Sequence, residues 1–334
     1  MQLAKFELKK IFIKQYGLIF FTIFIVLKII SLFLFDKPIN QEMHLERHSY
    51  NYYLRQLEGK LTEEKKKFFI KEQNRIIEAN SSLQILNNAY YNGKIDKIEY
   101  EEKLNKLKKI LDNEKGFDII YNQFIYSIEN PDQRYIMSTN GWEGLMTNMH
   151  MDWLFILLIL LLITPIFCEE FVSEMNITIH TQIYGGRYSA ICKIIISIII
   201  AIFLSIINST IEYVFFFNKY GLENGNFPLQ SLKFFSNSNK EINIICTYLG
   251  IVLLKILGTI YLTILILFLS VLARRYAFVL LISTSTLLLP YSIFNLQSTK
   301  YRIPVSPLGF LLSTGYYMGD KYQLDPLTRE KIMI

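Results

Sequence analysis

Hydrophobic positions in this chain gather into five long runs, and the polar positions gather into one block between the first run and the second. The runs extend from about Tyr16 to Phe35, Asp152 to Cys168, Ala190 to Phe217, Ile244 to Leu272 and Ala277 to Ile293. At ~1.5 Å rise per residue, about 20 apolar residues cross ~30 Å of hydrocarbon, so the pattern predicts five transmembrane helices. The first run is too long for the apolar core of a secretory signal, and no small-residue cleavage site follows Phe35, so it reads as an uncleaved span. A sixth span is either missing from the chain, with the closing KIMI as its start, or replaced by a re-entrant element over Pro304 to Gly319, which is short and rich in Pro and Gly.

From Asp36 to Met151 the periodicity becomes that of amphipathic helices. Leu54, Leu57 and Leu61, then Leu104, Leu107 and Leu111, recur at i, i+3, i+7 among mixed charges, and Asn92-Gly93 supplies a turn between two such helices. A helical hairpin with mutually buried stripes is expected, with Trp142 and Trp153 as interfacial anchors before the second span. The segment from Asn218 to Asn243, with its Gly, Asn and Lys, reads as a loop on the same side. The organisation is therefore 1–35, N-terminus and first span; 36–151, extracellular helical domain; and 152–334, transmembrane domain.

Composition narrows the class. A hydrophobic share of 51% with a mean hydropathy of +0.26 excludes a purely water-soluble enzyme. The net charge of +6 does not indicate nucleic acid, because the Lys-rich stretch is equally rich in Glu and no basic strip is interleaved with aromatics. Lys5, Lys9, Lys10 and Lys14 before the first run, and Arg274-Arg275 after the fourth, place the N-terminus in the cytoplasm by the positive-inside rule. Five spans then leave the tail outside, which conflicts with its Lys300, Arg302, Lys321, Arg329 and Lys331. Cys168, Cys192 and Cys246 have no CxxC spacing and read as packing residues.

The candidate chemistry lies in CEEFVSEMNITIHTQIYGGRYSAICK, between the second and third runs. Phe171, Met175, Ile179 and Ile183 recur every fourth residue, which predicts a short interfacial helix ended by Gly185-Gly186, with Arg187 and Lys193 at headgroup level. The order Glu169, Glu170, Glu174, short helix, Arg187, Lys193 resembles the type-2 ABC transporter permeases. FELKK before the first span and the large insert after it resemble members from low-GC Gram-positive bacteria linked to peptide export or antimicrobial-peptide resistance. This chain has Gly185-Gly186 where many members have Pro. The resemblance implies a permease subunit in the cell membrane whose segment 169–187 docks on a separate ABC ATPase subunit. It further implies that a second permease copy or related permease is needed to enclose a path through membrane lipid. ATP and Mg would sit on the ATPase, with no cofactor here, and this chain has no GxxxxGK[ST] loop of its own.

The rivals are an intramembrane protease and a membrane-anchored sensory protein. Glu169-Glu170 suit the first, but an Arg four residues on and His residues in later spans are missing. The second would capture an external peptide on the hairpin. His44 and His48 are four apart without a third ligand and read as surface residues. Lys28 and Lys255 fall about 15–20 Å into their runs, where a charge is costly. They either line a translocation pathway, pair with a carboxylate or backbone carbonyls, or snorkel, whereas Glu212 reads as interfacial.

Overall fold

The computed structural model describes residues 2–35, 40–147, 152–175, 177, 181, 186–296, 317, 322–324 and 331–333. The chain is an all-α, membrane-embedded protein, with four helices long and apolar enough to cross a bilayer among the described residues. It divides into two compact units. A membrane unit takes 1–36, 145–221 and 245–334, and an insert unit takes 37–144 together with 222–244.

The membrane unit opens with α1 (Gln2–Lys9) and a π turn (Lys10–Lys14). Tyr16, at φ +58°, then turns the chain into α2 (Gly17–Phe35). Most of α2 faces outward, but Gly17, Phe24, Lys28 and Leu32 are buried at the 7- and 4-residue intervals that form one stripe. That stripe packs on α9 (Trp153–Ile163), where Gly17 lies so close to Leu162 that a Cβ would come within 2.9 Å of its Cδ2. α9 starts on an Asp152 cap whose carboxylate accepts from Phe155 N at 3.1 Å. It passes through Thr164 into α10 (Pro165–Val172), so the apolar helical stretch continues to Val172, a few residues past the Cys168 at which the sequence pattern ends it. α11 (Arg187–Tyr220), α12 (Ile244–Ala273) and α13 (Tyr276–Leu296) follow. Phe155, Ile159, Ile163, Ile196, Ile200, Leu262 and Ile266 centre their common core.

The insert unit contains α3 (Gln41–Leu45), α4 (Arg47–Leu57), α5 (Glu63–Tyr91), α6 (Lys97–Leu111), α7 (Glu114–Ile128) and the first part of α8 (Asn140–Thr147). Gly93, at φ +68°, turns α5 into α6, and Tyr90 stacks on Tyr100 at 4.3 Å to close the hairpin. The expected mutual burial is reassigned. α6 buries no residue completely, and Leu104, Leu107 and Leu111 are only half-covered. The core lies instead between α4, α5 and α7, where Tyr53, Leu57, Phe69, Ile120 and Phe124 meet and Phe69 stacks on Phe124 at 4.2 Å.

Residues 222–244, read as a simple loop, belong to this unit. They form two 3-10 turns, Leu229–Ser231 and Lys233–Phe235, and Leu229, Leu232 and Phe235 are fully buried. Trp142 is not an interfacial anchor: it is 1% exposed and its indole donates to Glu223 O at 2.7 Å inside the unit. The re-entrant expectation for 304–319 lies, Tyr317 excepted, outside the described residues. Near the end of the given sequence, Lys331–Met333 pairs antiparallel with Tyr322–Leu324.

Candidate functional site

Two ionic networks lie inside the membrane unit. The first is built around Lys28, which the α2 stripe turns inward. Its ammonium donates to Asp152 and, at 2.6 Å, to Glu212. Glu212 also accepts from Lys255 at 3.2 Å, and Asn208 Nδ2 donates to Asp152 at 3.2 Å. Lys28, Glu212 and Lys255 are 6%, 1% and 2% exposed. Glu212, expected at the end of its span, is a buried bridge between two cations. Two positive and two negative side chains compensate one another, which is the condition for keeping charge in hydrocarbon.

The second network gathers at the tip of α10. Glu170, 7% exposed, accepts from Lys10 at 3.2 Å and from Lys193, joining the π turn and the start of α11 to the same carboxylate. Gln15 donates to Glu169, Lys193 lies over the Phe167 ring at 5.2 Å, and Arg274 lies over Phe171 at 5.2 Å. Glu7 completes the network at 4% exposure. Burial pushes its carboxyl above the usual carboxylate range, against the opposing pull of Lys193 and Lys10, and its Oε2 has no partner.

The residues singled out in 169–187 thus separate. Glu169, Glu170 and Lys193 face inward and tie helices together. Glu174 and Arg187 are exposed, and Glu174, at φ +55°, breaks the helix after Val172. Of the expected interfacial helix, Met175, Ile177 and Thr181 are helical and exposed, while Ile179, Ile183 and Gly185 lie outside the described residues.

Sequence reasoning missed Glu7, Lys10, Gln15, Asp152 and Asn208. A signal for Asp152 and Glu212 was present: two lysines inside apolar runs need two carboxylates, and these two lie in or beside the runs nearby. Glu7 carried no comparable signal, since it sits among lysines in an ordinary amphipathic stretch. His44 and His48 lie exposed on different helices, α3 and α4, and Cys168, Cys192 and Cys246 are unpaired.

No protein-family model, curated protein or solved structure matches the chain.

Proposed function

We propose that the chain is the permease subunit of an ATP-driven exporter resembling the type-2 ABC class, moving a peptide or other amphipathic substrate out of the cell or off the membrane. A separate ABC ATPase subunit carries ATP and Mg, this chain has no catalytic role, and two permeases enclose the path. Antimicrobial-peptide resistance is the biological setting that the resemblance suggests. The N-terminus, 169–187 and Arg274-Arg275 lie in the cytoplasm, where positive charge is retained.

The observation that supports this reading is the α10 tip. Its side chains Phe167, Glu169, Glu170 and Phe171 are held by the N-terminal segment, by α11 and by the end of α12. The exposed Glu174, Met175 and Ile177 follow at once. A push on that exposed segment by a closing ATPase is delivered to Glu170, and through Lys10 and Lys193 to two other parts of the bundle, instead of dissipating in a loose loop. Glu174 and Arg187 are then the docking residues, while Glu169, Glu170 and Lys193 are positioning residues.

The test is mild-detergent purification of the chain from its native membrane with mass spectrometry of its companions. A Walker-motif ATPase is expected, lost on Glu174→Ala with Arg187→Ala. With Glu170→Gln it should stay bound while its ATP turnover no longer responds to substrate. The alternative, a membrane-anchored sensory protein, is favoured by the insert unit's own aromatic core, which can hold a peptide-binding surface without help from the spans. Recovery of an external peptide or a kinase with no ATPase would select it.

A further inference from the structure

Hydroxyl side chains in an apolar helix have a partner at hand, the carbonyl one turn back. Several in this bundle use it: Thr22 on Leu18 O at 2.9 Å, Ser197 on Lys193 O at 2.7 Å, Thr210 on Ile206 O at 2.8 Å and Ser285 on Leu281 O at 2.7 Å. Ser205, Ser209 and Thr263 do not, and among the described residues neither their oxygens nor Asn208 Oδ1 has a hydrogen-bond partner. All four residues are at most 3% exposed. An unsatisfied polar atom in a protein interior is costly, and in a bilayer no stray water relieves it, so these four require a reason.

Their placement supplies one. Ser205, Asn208, Ser209 and Glu212 stand at i, i+3, i+4 and i+7 on α11, and Lys255 and Thr263 stand eight apart on α12. Glu212–Lys255 joins the two faces, as does Tyr248, whose hydroxyl donates to Ser209 O at 3.2 Å. From that ion pair both faces lead roughly 10–12 Å in the same direction along the bundle, because consecutive spans run antiparallel. Asn208 connects them to the four-charge network, with its amide nitrogen on Asp152 and its amide oxygen free.

We infer that this shared face of α11 and α12 is the hydrophilic lining of the transport path, buried in the conformation described and opened to water when the helices part. The inference rests on the permease reading and adds to it which residues meet the cargo. Serine, threonine and asparagine both donate and accept without net charge, which matches the amide groups of a peptide backbone. The Lys28–Asp152–Glu212–Lys255 network closes one end of the face, and its opening would expose the lining from that side.

Thiol accessibility tests this, because the thiolate, which forms in water and not in lipid, attacks hydrophilic methanethiosulfonate reagents, forming a mixed disulfide and expelling methanesulfinate. In a chain with Cys168, Cys192 and Cys246 replaced by Ala, Ser205→Cys, Ser209→Cys and Thr263→Cys are labelled in native membranes, with lipid-facing Phe203→Cys and Leu253→Cys as controls. Labelling at the three interior positions at least tenfold faster than at the controls is expected, and faster still with ATP. Rates no higher than the controls, with and without ATP, overturn the inference. Fast labelling with no ATP effect and no companion ATPase keeps the wet face and removes the permease reading. The unmodified chain gives a second measurement: hydroxyl-radical footprinting should oxidise Tyr248 through water at Ser209, and an unoxidised Tyr248 counts against the lining.

Discussion

Glu212 shows how far a single carboxylate in hydrocarbon can be responsible for the charges around it. It touches both Lys28 and Lys255, so its removal leaves one buried ammonium with only Asp152 and the other, among the described residues, with no carboxylate in contact. Losing one partner of a buried pair costs about 3–5 kcal/mol, whereas replacing a complete pair by apolar groups is close to neutral. Glu212→Leu is therefore expected to lower the heat resistance of the detergent-purified chain severely, and Glu212→Leu with Lys255→Met to recover much of it. Equal losses in the single and double variants would show that the pair is not coupled. Glu143 in the insert unit makes the opposite case. It is wholly buried and accepts from Phe234 N at 3.2 Å, yet burial dominates and pushes its carboxyl up to about 7 from the usual 4.5. A raised folded-state value means that the folded unit holds the proton more tightly, so its stabilising effect is complete below about 4.5 and disappears as pH rises through about 7. The span of that effect is about 3 kcal/mol. In a Trp153→Phe background, the denaturation midpoint read from Trp142 emission should rise as pH falls from 7.5 to 5. Glu143→Gln should remove that rise, and an unchanged pH response in the variant would assign it to other groups.

Helices were far more legible than their partners. A run of apolar residues declares its solvent whatever it packs against, so α2, α11, α12 and α13 begin and end within a few residues of the pattern. The amphipathic stripes of the insert declare only that some face is covered. Leu104 and Leu107 have the same spacing as Leu54 and Leu57, but the neighbours of α4 are fixed by shape, and α7 carries the decisive residue, Gly116. A Cβ there would collide with the backbone of Ser49 and Tyr50, so the absence of a side chain lets α7 lie directly on α4. Nothing in the periodicity of α7 marks this, because a glycine inside a helix reads as a weakness before the partner is known. Gly116→Ala forces two helices apart in a packed core, a change that costs about 1–3 kcal/mol despite the better helix propensity of Ala. Trypsin should cut between residues 47 and 128 faster in this variant, while Gly93→Ala, at the exposed turn, should leave the α4–α7 pair protected. Faster cutting confined to the 92–97 turn would show that the close approach is not what holds the pair.

At the scale of the whole chain, the insert unit constrains how the spans are threaded. Its two segments, 37–144 and 222–244, fold as one compact body and must lie on one side of the bilayer. The chain between them must then cross an even number of times, and its described residues contain two helices long and apolar enough to do so, Trp153–Val172 and Arg187–Tyr220. With Gly17–Leu34 as the one crossing before the insert, the N-terminus is expected on the opposite side, together with Glu174 and Arg187. α12 is expected to return to that side with Arg274 and Arg275, the side to which the positive-inside rule also assigns the N-terminal lysines. The sequence does not reveal this parity, because Asn218 to Asn243 carry no sign of joining a domain begun far earlier in the chain; the apolar Leu229, Leu232 and Phe235 stand too far from their partners in sequence to form a pattern. A cysteine placed at the exposed Asn92 and another at the exposed Asn226, in the same thiol-free background, should both react with a membrane-impermeant maleimide on intact cells, while one at Lys5 and one at Glu174 should react only after permeabilisation. Opposite accessibility of Asn92 and Asn226 would break the insert unit in two and remove an odd number of crossings from the stretch between them. Concordant reaction fixes the side of α10's exposed segment, and with it the compartment in which an ATPase partner must be sought.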